Sequence, residues 1–82
     1  MDLIKDRKEF ITQRGFRNLS EFARACGENA SNVHKVIKGQ QKPSIEKLLK
    51  YAAALDCDVI QLIYLFYYEE TIAYIKARNE RR

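Results

Sequence analysis

The sequence predicts an all-α chain, a compact bundle of five short helices. Three observations carry that expectation. No stretch shows the two-residue alternation of a half-buried strand. Gly15, Gly27 and Gly39 fall twelve residues apart, with the single proline, Pro43, after the last of them, and these residue types end helices rather than continue them. Asn18, Asn29, Ser44 and Asp58 each stand just before an apolar run, where a short polar side chain can accept from an unpaired helical N–H. The segments between the glycines do not resemble one another, so the even spacing is no sequence repeat.

The elements follow in order. A first helix is expected from Asp2 to Arg14, with Leu3, Ile4, Phe10 and Ile11 on one stripe and Gly15 as its left-handed end. Asn18 caps a second, with Glu21 three residues on as in a capping box, and Leu19, Phe22, Ala23 and Cys26 inward. Asn29 opens a third, from Ala30 to about Lys38, whose Val33, Val36 and Ile37 face the core; Gly39 stops it, and Gln40 to Pro43 form a loop. Ser44 caps a fourth, with Ile45, Leu48, Leu49, Ala52 and Leu55 at helical spacing. After a break at Asp56-Cys57-Asp58, residues 59–78 read as one strongly apolar C-terminal helix used for dimerisation, and residues 1–82 as a single domain.

A chain of 82 residues buries only about 60% or a little more of the surface its unfolded form exposes. Stability is therefore expected from well-fitted helices or from pairing with a second copy. No apolar run is long enough to cross a bilayer, and Met1 to Asp6 mix both charge signs, unlike a secretory leader. A cytoplasmic chain with reduced thiols is expected. The basic excess is local: residues 17–50 hold seven lysines and arginines against three glutamates, and no acid occurs from Asn29 to Ile45. Such a patch suits a polyanionic partner.

Residues 18–44 read NLSEFARACGENASNVHKVIKGQQKPS. A small residue at Ala23 lets two helices approach, and Gly27 makes the tight turn that crosses them. Val33 and Val36 anchor the second helix, and Gly39 and Lys42-Pro43-Ser44 close the unit. In this framework the stretch resembles the lambda-repressor and Cro type of helix-turn-helix regulator, often called XRE-like, and the likeness extends from about Asn18 to Ile63. There are four departures. The resembling proteins commonly have an apolar residue where Glu28 stands, a glutamate at Ile37, and glutamines at Ala30 and Leu19.

The resemblance implies a lambda repressor-like domain that binds double-stranded DNA, with the third helix in the major groove. Ala30, Ser31, Asn32, Lys35 and His34 then become the base-contacting candidates. Asn32 could bond adenine bidentately, Lys35 could reach guanine, and Ala30 could pack on a thymine methyl. Ser20, Lys38, Gln40, Gln41, Lys42 and Ser44 become phosphate-contacting candidates around the starts of the second and fourth helices. Tyr64, Phe66, Tyr67, Tyr68 and Ile72 exceed what a small core absorbs and are expected at a homodimer interface. The implied function is a transcriptional regulator, in particular a repressor on an inverted-repeat operator, of prokaryotic or phage kind. The rival expectation is an antitoxin or adaptor that holds a protein partner with the same fold.

No cofactor and no metal are expected. Cys26 and Cys57 lack CxxC spacing and His34 is the only histidine, whereas a zinc site needs about four ligands. The cysteines read as small buried hydrophobes. Lys76, Arg78, Arg81 and Arg82 form a basic tail, read as an exposed end. No carboxylate pair, phosphate-cradling glycine loop or nucleophile–base motif points to an enzyme.

Overall fold

The computed structural model describes residues 2–81. They form six helices and no strand: α1 (Leu3–Thr12), α2 (Leu19–Ala25), α3 (Ala30–Ile37), α4 (Ile45–Leu55), α5 (Val59–Phe66) and α6 (Tyr68–Glu80). The first five begin where a short polar side chain takes up a first-turn N–H. The Oδ1 atoms of Asp2, Asn18, Asn29 and Asp58 accept from Lys5, Glu21, Ser31 and Ile60 at 2.8–3.1 Å, and Ser44 Oγ accepts from Lys47 at 3.2 Å. Only half of the expected capping box forms, because the Glu21 carboxylate turns to Arg17 at 3.7 Å. α2 and α3 end alike. The N–H groups of Gly27 and Glu28 return to the carbonyls of Arg24 and Ala23, and those of Gly39 and Gln40 to Val36 and Lys35. Gly27 and Gly39 hold φ of 70° and 78° to make these ends, which glycine does without a Cβ clash.

The core gathers Ile11, Leu19, Phe22, Ala23, Val33, Val36, Ile37, Leu48, Tyr51, Leu55, Leu62 and Phe66. A run of edge-to-face aromatic contacts crosses it: Phe16 to Phe22 at 5.3 Å, Phe22 to Tyr51 at 5.0 Å and Tyr51 to Phe66 at 6.0 Å. On α4 the buried stripe is Leu48, Tyr51, Ala52 and Leu55. Ile45 and Leu49, expected on the same stripe, are more than half exposed and stand beside it.

Among the described residues, Arg7 is the one charged residue in the interior. Its Nε donates to the Leu65 carbonyl at 3.0 Å and its Nη1 to the Ile37 carbonyl at 2.9 Å, while the guanidinium lies 5.2 Å over the Phe66 ring. One side chain of α1 thus closes the C-terminal ends of α3 and α5, where carbonyls lack helical partners and the helix dipoles are negative. Burial lowers its pKa from the usual arginine value.

The fold corrects the expected single helix over 59–78. The chain breaks at Tyr67 (φ −124°, ψ 44°), giving six helices instead of five. Arg7 occupies the Leu65 carbonyl that a continuous helix would use, and the Tyr67 hydroxyl donates to the Pro43 carbonyl at 2.5 Å. Two neighbouring side chains, Phe66 and Tyr67, can then both turn towards the body. Beyond the break α6 buries no residue. The described residues extend 45 Å along one axis and 21 Å along the others.

Candidate nucleic-acid interface

Val33, Val36 and Ile37 are 0–1% exposed, so one face of α3 is fixed against α2 and the core. At about 100° per residue, the opposite face carries Ser31, Lys35 and Lys38, and all three are exposed. Asn32 and His34 stand on either flank and are half-buried. Ala30 corrects the expectation. Its side chain packs against the core cluster instead of facing outward with Ser31, because it falls on the same side of the helix as Val33 and Ile37. Of the base-contacting candidates, the fold therefore brings Ser31 and Lys35 together on the exposed face of α3, with Asn32 and His34 at its edges.

The phosphate candidates lie on exposed rims. Ser20 is in the first turn of α2, and Lys38, Gln40 and Gln41 lead from α3 into the loop. The Ser44 oxygen is occupied as the cap of α4, which leaves its hydroxyl proton to donate. Lys42 is exposed but already engaged. Its ammonium pairs with the Glu70 carboxylate and lies 5.0 Å over the Tyr67 ring. Lys35 and Lys38 make no ion pair among the described residues. No sequence signal joined Lys42 to Glu70, since the helix break that presents α6 to the loop was itself unmarked by glycine or proline.

Two departures from the resembling proteins find local answers. Glu28, in the turn between α2 and α3, pairs with Lys47 of α4 at 3.8 Å, both side chains being largely covered. Ile37 is fully buried, and only its carbonyl meets a charge.

The aromatic candidates separate. Phe66 is 5% exposed and belongs to the chain's own core, where it meets Tyr51 and Arg7, so it is removed from the interface set. Tyr67 is half-buried on the loop. Tyr64 and Ile72 are exposed, and Tyr68 stands edge-on to Tyr64 at 5.4 Å between centroids. With Ile60, these form a ridge at four-residue steps, Ile60-Tyr64-Tyr68-Ile72, that continues across the break. Sequence reasoning left Ile60, Tyr74 and Ile75 out of this set, yet all three are exposed. A largely apolar groove of about 530 Å³ opens between α4, α5 and α6, lined by Ile45, Leu48, Ile63, Tyr67 and Tyr74 among others.

Cys26 is half-buried, and burial, aided by Glu28, pushes its thiol up to about 11. Burial also raises Cys57. Both stay protonated near neutrality and are poor nucleophiles. Among the described residues no group of three His, Cys, Asp or Glu comes together as a metal site, and no helix is long and apolar enough to cross a membrane.

Two short helices crossed at a glycine turn, the second locked on its inner face and polar and basic on its outer one, define a helix-turn-helix DNA-binding domain. The chain belongs to the helix-turn-helix family, of the lambda-repressor and Cro type, and the family model covers residues 8–62. Its function is accordingly of the DNA-binding, transcription-regulating kind. No curated protein matches the chain, and no solved structure does.

Proposed function

We infer that the chain is a sequence-specific regulator, acting as a repressor, that binds an inverted-repeat operator as a homodimer with α3 in the major groove. One observation carries this reading. Ser31 and Lys35 share the exposed face of a helix whose other face is fixed in the core, an arrangement that supports an approach to base edges. Lys35 suits guanine O6 and N7, Asn32 suits adenine, and Ser31 suits a base or a phosphate. Lys38, Gln40, Gln41, Lys42, Ser44 and Ser20 would hold the backbone and set register.

A single domain reads only a few base pairs, so specificity calls for two. The Ile60-Tyr64-Tyr68-Ile72 ridge supports pairing, because exposed apolar rows of this kind mark interfaces and ridges at four-residue steps interdigitate between helices. A symmetric pair would set its recognition helices about 34 Å apart on the duplex. Selection of bound sequences from a random DNA pool tests the proposal. An enriched inverted repeat of short half-sites is expected, and a pool that stays random would refute sequence-specific recognition.

A second reading rests on α6, which buries no residue while exposing Ile72, Tyr74 and Ile75. The same surface could serve an adaptor or antitoxin holding a different protein. The two uses separate in the ultracentrifuge. A dimer of the purified chain favours the regulator, and a monomer that becomes a heterodimer with a co-expressed partner favours the adaptor.

A further inference from the structure

The first turn of α6 is fastened to the loop that leads into α4, at the residues expected to hold DNA phosphate. We propose that Glu70 is an internal stand-in for a DNA phosphate, which occupies Lys42 in the free protein and yields it when the loop meets the DNA backbone. The inference rests on the DNA-binding reading and adds a restraint built into that same surface.

The contact is not merely two long side chains meeting in solvent. Glu70 pairs with Lys42, and the same ammonium lies 5.0 Å over the Tyr67 ring. The Tyr67 hydroxyl in turn donates to the carbonyl of Pro43, the residue after Lys42, at 2.5 Å. Pro43 is buried and its position is set by the body of the fold. The carboxylate is thereby delivered by an anchored helix turn, and the pair lies at a cleft whose lining includes Lys38, Lys42, Glu69 and Glu70.

The pair also remains open to exchange. The Lys42 and Glu70 side chains are 57% and 47% exposed, so a phosphate oxygen can reach the N–H donors that the carboxylate holds. When it does, Glu70 is left without its partner beside a polyanion, and part of what Lys42 contributes to DNA binding is cancelled. Exposed ion pairs are weak, so the restraint is light, a factor of about three to five in affinity.

The test is the affinity of the intact chain for a random-sequence duplex, measured by fluorescence anisotropy over a series of salt concentrations. The proteins are wild type, Glu70→Gln, Glu69→Gln, Lys42→Ala and the Lys42→Ala/Glu70→Gln double variant, each first shown by circular dichroism to fold and melt as wild type does. Glu69→Gln makes the same charge change one residue away, at a side chain that makes no ion pair among the described residues. Glu70→Gln is expected to tighten binding about three- to five-fold and to steepen the logarithmic salt slope by up to about one. Glu69→Gln should give less than half that gain, and in the Lys42→Ala background the Glu70→Gln gain should shrink to the same size. Equal gains from the two glutamine variants, or a Glu70→Gln gain that Lys42→Ala leaves unchanged, would overturn the proposal while leaving the DNA-binding reading intact. Absence of DNA binding by every protein in the set would instead bring down that reading, and this inference with it.

Discussion

Replacing Arg7 with methionine is the sharpest test of how this chain holds α3 in place. Methionine keeps most of the unbranched stem and its packing, but removes both hydrogen bonds and the contact with Phe66. The carbonyls of Ile37 and Leu65, now 2.9 and 3.0 Å from the guanidinium, are left at helix ends facing the interior. Hydrogen bonds to a charged group contribute about 1.5–3 kcal/mol each, and an unsatisfied buried group costs about 1–3 kcal/mol. Against this stands the relief of no longer burying a guanidinium that is 7% exposed, itself worth several kcal/mol in effective terms. Because the partners are fixed carbonyls and not a second removable charge, the losses outweigh the relief, and a net cost of about 2–4 kcal/mol is expected.

That is a large share of the total. Domains of this size are stable by roughly 0.05–0.15 kcal/mol per residue, and each kcal/mol moves the melting point by about 4–8 °C. Arg7→Met should therefore lower Tm by about 10–25 °C, followed by far-UV circular dichroism and checked by urea denaturation. Arg7→Lys should lie between, since one ammonium lacks the planar fork that serves two carbonyls at once. A Tm for Arg7→Met within about 3 °C of wild type would show that water or backbone shifts satisfy those carbonyls, and that Arg7 does not hold the ends of α3 and α5.

Three further outcomes follow from the geometry. Lys35→Ala should cost about 1–3 kcal/mol on the selected site and little on random DNA, whereas Lys42→Ala should weaken both and make the salt dependence shallower; equal losses for Lys35→Ala on the two DNAs would cancel its base-reading role. Ile72→Asp should leave the fold intact, since this residue is 40% exposed, yet shift sedimentation from dimer to monomer at micromolar concentration; an unchanged dimer would move the interface elsewhere. Stability should decline in alkali, because the Cys26 thiol is raised by burial from 9.0 to about 11. The unfolded chain therefore ionises first, and folding is progressively disfavoured as pH rises from about 9 to 11. Cys26→Ala should flatten that decline, and identical pH profiles for the two proteins would contradict it.

What could be read from the sequence divides by the range of the contact involved. Asn18, Asn29, Ser44 and Asp58 each cap a helix within two or three residues of themselves, so residue type and position suffice. Gly27 and Gly39 announce left-handed helix ends in the same way. The outward side of α3 was legible because Val33, Val36 and Ile37 reveal the inward one. Arg7 was not, because its partners lie 30 and 58 residues away and a charged residue on a first helix reads as solvated. The break at Tyr67 was hidden for a related reason. It is made by side chains docking onto Arg7, Pro43 and Tyr51, while 59–78 remains a good helical sequence by local measures. Phe66 was misassigned with it, since an unbroken helix offers no reason to separate it from its aromatic neighbours.

The departures at positions 28 and 37 show how the fold accommodates an exchange of polar for apolar residues. A glutamate in the α2–α3 turn would be costly if sealed, but Lys47 reaches it from α4 at 3.8 Å with both side chains still touching solvent. An isoleucine at the end of α3 removes a side-chain acceptor, but adds a fully buried hydrophobe to the core, and the helix end keeps its tie to α1 through the backbone, where Arg7 meets the Ile37 carbonyl. A carbonyl is present whatever residue stands at 37, so the restraint on α3 does not depend on the side chain there. The consequence is a division of labour along this helix. Its inner face and its C-terminal carbonyl set its position, which leaves Ser31, Asn32, His34 and Lys35 to the base-reading role proposed for them.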